Sequence, residues 1–272
     1  MLIGSFLNVV VYRVPKMMEL GWEAEHAAYA AQKAGKELPP ADPRKRFNLL
    51  TPPSRCRQCG HRIRWYENIP VISYLVLCGK CRKCGTSIGL RYPLVELTTA
   101  VLAWWCATRY GMQWPALAWF FFSACLLCLV LIDWDTTYLP DSLTLPLLWA
   151  GLLATTQGWT GISLGSAVWG ASLGYLSLWL VYWGFKLATG KEGMGYGDFK
   201  LFAALGAWLG APALLPIIIL AAVIGAIVGI AMKFASQLRE GRYVPFGPFL
   251  GLGGGAVWLL GAPTVLRMMG LP

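Results

Sequence analysis

The chain has 272 residues, of which 57% are hydrophobic and only 13% charged, and its mean hydropathy is +0.54. Soluble domains carry about 25% charged residues, so the composition excludes an ordinary soluble globular protein and predicts an all-α polytopic membrane protein. The net charge is +10, and fifteen of the 23 Lys and Arg lie between Arg13 and Arg91. That clustering predicts a cytoplasmic segment under the positive-inside rule, with the lipid bilayer as the chain's environment and no nucleic-acid partner.

The first stretch, Met1–Tyr12, is apolar and includes Gly4-Ser5-Phe6-Leu7-Asn8. At about 1.5 Å per residue it reaches only about 18 Å into a hydrocarbon core about 30 Å thick. Residues 1–15 are therefore expected to be a first transmembrane helix that is truncated here, with Met1 internal to it; a re-entrant segment is the alternative. Residues 16–92 form the polar domain. Glu19–Glu37 is rich in Ala, Glu and Lys and predicts an amphipathic surface helix, stopped at Leu38-Pro39-Pro40. His26 within it is a lone solvated histidine to which no chemistry is assigned.

Cys56-x2-Cys59 and Cys81-x2-Cys84 follow. Two close pairs of thiolates suit the tetrahedral preference of zinc, and the Gly after each pair, Gly60 and Gly85, permits the tight turn that aims both sulfurs at one ion. A closed structural zinc site is expected, because four Cys ligands leave no open position for a catalytic water. Cys78 and His61 stand nearby as substitute ligands or bystanders. Cys106, Cys125 and Cys128 sit in apolar stretches and read as small buried hydrophobes.

From Pro93 onward, within the 93–272 bundle, the chain alternates apolar segments with short loops, and spans are predicted at 93–110, 114–132, 138–157, 163–188, 199–210, 213–232 and 246–266. With the N-terminal helix the total is eight. If 16–92 is cytoplasmic, alternation places Asp133–Leu139, Lys186–Asp198 and Lys233–Arg242 inside and leaves only Arg109 and Arg267 outside, which agrees with the distribution of basic residues.

Against this background one stretch carries a charge that needs a reason. Gly193-Met-Gly-Tyr-Gly-Asp-Phe-Lys200 sets Asp198 beside three glycines at the mouth of an apolar segment, where an ionisable residue is costly and marks function. A glycine-rich turn capping the next helix is the plain alternative. Deciding for function, the loop holding Asp133, Asp135 and Asp141 lies at the same end of the bundle. Two carboxylates in a partly desolvated site cannot both ionise easily, so one serves as base toward a water and the other as acid toward a scissile carbonyl. The membrane region has no histidine, which removes Ser-His and Cys-His catalysis.

Gly4-Ser-Phe-Leu-Asn-Val-Val10, the paired Cys-x2-Cys, Arg91-Tyr-Pro-Leu-Val-Glu96, Leu131-Ile-Asp133 with Leu139-Pro-Asp141, and Gly195-Tyr-Gly-Asp-Phe-Lys200 together resemble the type IV prepilin peptidases. The resemblance runs in order along nearly the whole chain. It implies an eight-span inner-membrane aspartic endopeptidase, with a small cytoplasmic zinc domain between the first and second helices. Its expected reaction removes the short basic leader of prepilins or type II secretion pseudopilins at the cytoplasmic face, and a second activity methylates the new amino terminus from S-adenosylmethionine. The family motif places the first catalytic Asp seven residues before the Pro of the Pro-Asp step, hence at Asp133, with Asp198 as its partner. The same resemblance points to Gly79 and Lys80 as contributors to cofactor binding, with a turn and an exposed cation as the structural alternative. It leaves Glu96 open between amino-terminus binding and an interfacial position. Asp135 is then a charge tuning the pair or solvated at the helix end, Asp141 an N-terminal helix residue, and Lys200 a partner of the pair or a snorkelling cation. A Gly-x-Gly-Asp protease acting on another substrate, such as a preflagellin, and a non-enzymatic assembly scaffold are the rival readings. The cysteine pairs and the span count argue against the first.

Overall fold

The computed structural model describes residues 1–35, 47–234 and 244–271. Among them the chain is helical, and β-pairing is limited to two isolated antiparallel bridges, Arg55 with Arg62 and Lys80 with Ser87. Contacts divide the chain into two units, Met1–Trp105 and Cys106–Pro272.

In the first unit, α1 runs without interruption over Leu2–Lys33, passing through Pro15. The apolar start and the Ala/Glu/Lys-rich stretch that follows are thus two halves of one helix. Strong helix formers and an i,i+3 pair between Lys16 and Glu19 at 3.6 Å carry it past the proline, which removes one backbone donor without stopping the helix. Its expected stop at residues 38–40 lies outside the described residues. Arg13 is buried, and its guanidinium donates to the carbonyls of Asn48 and Pro52, tying the start of the polar segment back onto α1. A 3-10 turn at Trp65–Asn68 and the short helix α2 (Ile72–Val76) precede α3 (Arg91–Tyr110). Helices α1 and α3 meet closely at Gly4: a Cβ there would stand 2.7 Å from the Cα of Glu96, so only glycine fits.

The second unit holds α4 (Trp114–Thr136), α5 (Asp141–Thr156), α6 (Leu164–Thr189), α7 (Tyr196–Leu209), α8 (Leu214–Phe234), α9 (Gly247–Leu260) and α10 (Ala262–Met268). Helix α7 is its centre. It packs on α5, α6 and α9, and nearly every residue from Asp198 to Trp208 is buried. Its contact with α6 is a glycine crossing, since a Cβ on Gly170 or on Gly206 would run into the backbone of the other helix. Trp208 is fully buried at its far end and donates its indole N–H to the carbonyl of Leu147 at 2.8 Å.

Among the described residues three helices are long and apolar enough to cross a bilayer: Trp114–Thr136, Leu164–Thr189 and Ala211–Phe234. The pair Gly247–Leu260 and Ala262–Met268, bent by 110°, makes a fourth if it is one broken span. Helices α1 and α3, with 32 and 20 residues, have the length to cross but no stretch apolar and uncharged enough, whereas α5 and α7 lack the length. With 14 residues α7 is about 21 Å long at 1.5 Å per residue, and α5 with 16 residues is about 24 Å, both short of a core about 30 Å thick.

Candidate active site and metal centre

The sequence sets Asp198 at the third position of α7, directly after the Gly195 cap. Its backbone N–H donates to the Gly195 carbonyl at 3.2 Å, and its carboxylate accepts from the Gly195 N–H in return. This is half of a capping box, and it places a carboxylate where the helix dipole favours negative charge. Asp133 sits in the last turn of α4, which ends in a left-handed Thr137 whose N–H closes on the Asp133 carbonyl at 2.8 Å.

The chain then doubles back through Leu139-Pro140 into α5, and Leu139 becomes the wedge between the elements that carry the two carboxylates. A Cβ on Gly197 would stand 2.7 Å from the Leu139 Cβ, and one on Gly247 would stand 2.9 Å from its Cδ1 and 2.5 Å from the Asp133 Oδ2. Both glycines are therefore required by close approach. The Gly247 N–H also points at the Asp133 carboxyl. Asp133 and Asp198 are 4% and 7% exposed, and the two charges act on one another. The Asp133 Oδ2 is buried without a hydrogen-bond partner among the described residues. Buried polar atoms are nearly always satisfied, so this orphan is a place where a water or a substrate group gains a hydrogen bond.

The neighbouring charges sort themselves out. Asp135 is exposed, so burial separates it from Asp133 two residues earlier. Asp141 is the first residue of α5, as expected of a carboxylate at a helix N-terminus. Lys200 is bound to Asp141, with Nζ 2.7 Å from each carboxylate oxygen. Lys200 thereby joins the starts of α5 and α7 as an ion pair. Sequence reasoning also missed a clasp on the glycine loop. The Lys186 ammonium donates to the Tyr182 hydroxyl at 3.1 Å and to Glu192 Oε1 at 2.8 Å, while the rings of Tyr182, Tyr196 and Phe199 meet in tilted and edge-on contacts beside it. The Lys186 ammonium beside it holds the Glu192 carboxyl below its usual range. Gly247 was missed as well, although the Phe246-Gly247-Pro248 step marks a helix start at which a glycine precedes a proline.

The first unit carries a cysteine cluster that could hold a metal ion. Cys56, Cys59, Cys81 and Cys84 offer four sulfurs, all within 4.8 Å of one another. Cys56 to Cys84 is 3.8 Å and Cys59 to Cys81 is 4.0 Å. Sulfurs at about 2.3 Å from a tetrahedral zinc are about 3.8 Å apart, so the donor set fits that ion. Each pair is held by the same local turn. Cys56 N–H donates to His61 O and Gly60 N–H to Cys56 O; Cys81 N–H donates to Thr86 O and Gly85 N–H to Cys81 O. Gly60 and Gly85 both have positive φ, at 68° and 70°. The Thr86 hydroxyl, 3.2 Å from Sγ, and then the Thr86 backbone N–H hold the Cys84 thiol down at about 6. His61 pairs with Glu67 at 3.2 Å, and Cys78 stands outside the cluster, so both are bystanders to the four sulfurs.

Gly79 has φ 66° and is covered by Tyr74, whose hydroxyl would lie 2.8 Å from an added Cβ, whereas Lys80 is exposed. What this pair offers a ligand is therefore the Lys80 ammonium. Glu96 is buried, and its Oε2 accepts the N–H of Val71 at 2.8 Å, so it is engaged inside the first unit.

Two family models match the chain: the Bacterial Peptidase A24 N-terminal domain over residues 1–110 and the Type IV leader peptidase family over residues 120–230. The chain is similar to proteins named prepilin leader peptidase/N-methyltransferase. The one from Burkholderia pseudomallei is 49% identical over 99% of this chain and 86% of the relative. Those from Pseudomonas aeruginosa and Dichelobacter nodosus are each 51% identical over 96% of this chain, covering 88% and 89% of their own lengths. No solved structure matches it.

Proposed function

Because the chain belongs to the type IV leader peptidase family, we propose that it is an aspartic endopeptidase that removes the short basic leader of type IV prepilins or type II secretion pseudopilins and then N-methylates the new amino terminus. The observation that carries the first activity is the buried pairing of Asp133 with Asp198, together with the unpartnered Asp133 Oδ2. Two carboxylates so placed share one proton. The ionised member takes a proton from a water that attacks the scissile carbonyl, and the protonated member donates to the carbonyl oxygen as the tetrahedral centre forms. Gly195 and Gly247 hold the two carboxyls through their backbone N–H groups, and Leu139 fixes the spacing between them. No metal enters this chemistry.

Cys56, Cys59, Cys81 and Cys84 would hold a zinc ion that folds the polar domain, since four thiolates leave it no position for substrate. For methylation the proposed donor is S-adenosylmethionine, which supplies an electrophilic methyl group when bound; Lys80 is the residue proposed to contact it, with Gly79 shaping the turn. The domains are read as 1–15, 16–92 and 93–272. Counting α1, α3 and α5 to α8 with α4 and the α9–α10 pair gives eight crossings of the bacterial inner membrane, and the distribution of Lys and Arg supports a cytoplasmic side for the polar domain and the catalytic loops.

The test is incubation of the purified chain with a prepilin and labelled S-adenosylmethionine, reading leader loss and methyl incorporation in one sample. Both are expected. An intact prepilin after prolonged incubation would overturn the peptidase reading, and cleavage without label would overturn the methyltransferase reading alone.

A further inference from the structure

The polar domain carries an apolar face that its own fold does not cover. In α2, Tyr74 turns inward onto Gly79 and Ser73 bonds back to the Ile69 carbonyl, while Ile72, Leu75 and Val76 are 58%, 68% and 75% exposed. These three stand at i, i+3 and i+4, one face of a helix. The turn that packs against α2 adds Trp65, 81% exposed. Single exposed hydrophobics are ordinary; four on two touching elements make a patch.

The depth of this patch is set by one hydrogen bond. Val71, the residue that caps the start of α2, donates its backbone N–H to Glu96, the sixth residue of α3. Five steps of about 1.5 Å put Glu96 about 7.5 Å along α3 from Arg91. Leu94 and Leu97 beside it are exposed apolar residues, so α2 begins level with the apolar surface of α3. The segment that carries the patch is strongly basic. From Arg55 to Arg91 the chain has eight Lys and Arg and one carboxylate, Glu67. That carboxylate is already engaged by the Arg64 N–H at 3.0 Å, by His61 at 3.2 Å and by Arg82 at 3.8 Å. A segment of strong positive charge that presents an aromatic and aliphatic face complements an anionic lipid surface, where each Lys or Arg adds attraction and Trp favours the headgroup level.

We propose that Trp65, Ile72, Leu75 and Val76 form an interfacial anchor that seats the zinc-type domain in an anionic leaflet, with the Glu96–Val71 hydrogen bond fixing its depth. The proposal rests on reading α3 as a membrane-spanning helix. It gives Glu96 a positioning role.

The test uses the full chain in nanodiscs of phosphatidylethanolamine and phosphatidylglycerol, with a fluorescent amino acid in place of Leu75, the same probe at Val76 as a second position, and the probe at Trp104 on α3 as the reference for the span. Lipids brominated near the headgroup should quench the probe at 75 and 76 at least about twofold more than lipids brominated near the chain end, and replacing phosphatidylglycerol by phosphatidylcholine should reduce that quenching about twofold. The probe at 104 should be quenched by the deep bromines. Quenching at 104 with none at 75 and 76 would overturn the anchor and leave the span intact. Shielding of 75 and 76 from aqueous iodide only on adding prepilin, or only at high protein concentration, would also overturn it and assign the face to a protein. No quenching at any position would overturn the reading of α3, and the anchor with it.

Discussion

The two sites are held together in opposite ways. The four thiols of the polar domain come from 29 consecutive positions, each pair is shaped by its own glycine turn, and the ion proposed for them would tie the two pairs together at one point. Asp133 and Asp198 are 65 positions apart on different helices, and what brings them together is the packing of α4, α7 and α9 around Leu139. A site of the first kind fails when its ligand is removed. One of the second kind fails when a single atom is added at a contact.

Metal removal should therefore have the largest effect, and only on one region. Chelation, or Cys59→Ser, is expected to take the zinc content from one equivalent to below about half and to leave the amides of 55–88 without hydrogen-exchange protection, while those of 114–209 keep theirs. Unchanged protection in 55–88 would mean that the turns fold without the ion. The same site has a pH limb. In the metal-free site Thr86 holds the Cys84 thiol down at about 6, and a thiol holds a metal only once it has lost its proton. Acid should release the metal, and Thr86→Val should move the midpoint of release to higher pH, read by a colorimetric zinc indicator.

Next in size is loss of either carboxylate. Asp133→Asn and Asp198→Asn should each lower prepilin cleavage by about 10³-fold or more with the zinc content unchanged, whereas Asp135→Asn, which alters an exposed group, should stay within about threefold. Smaller again is Gly247→Ala, whose added methyl meets Asp133 Oδ2 at 2.5 Å and Leu139 at 2.9 Å. A displacement of that size is expected to cost about 10²-fold in kcat. Gly255→Ala on the same helix has nothing within 4 Å and should be silent, so the pair separates a blocked dyad from a weakened helix.

The smallest effect belongs to the clasp on the glycine loop. Lys186→Met or Glu192→Gln should reduce kcat by about tenfold or less with little change in KM, and exchanging the two charges should restore part of it. The Glu192 carboxyl lies below its usual range, so its contribution is present at neutral pH and fades only as the pH falls below that range. An unchanged kcat in both variants would remove the clasp from the account.

The same contrast explains how much could be read from residues alone. The cysteine spacing with a following glycine announces its own geometry, and the structure brings those four sulfurs to zinc-compatible distances. Asp198 was legible because a charge beside Gly195 and Gly197 has no reason to be in an apolar segment. Its partner needed the family motif, since nothing local distinguishes Asp133 from Asp135; burial does, and burial is made by other helices. Gly247 was out of reach for the same reason, as its function is a close approach to a residue 114 positions earlier. The spans were read by length and hydropathy, which see α4, α6 and α8 plainly. They do not see why α7 is short: it is wrapped by protein and need not match the bilayer.

The central claim is that Asp133 and Asp198 form one catalytic unit. Single-turnover cleavage of a purified prepilin by excess enzyme, followed over hours, gives residual rates for Asp133→Asn, Asp198→Asn and the double variant. If the two carboxylates act as one group, the double variant falls no further than the slower single one. Losses that multiply, or substantial cleavage by either single variant, would contradict the account.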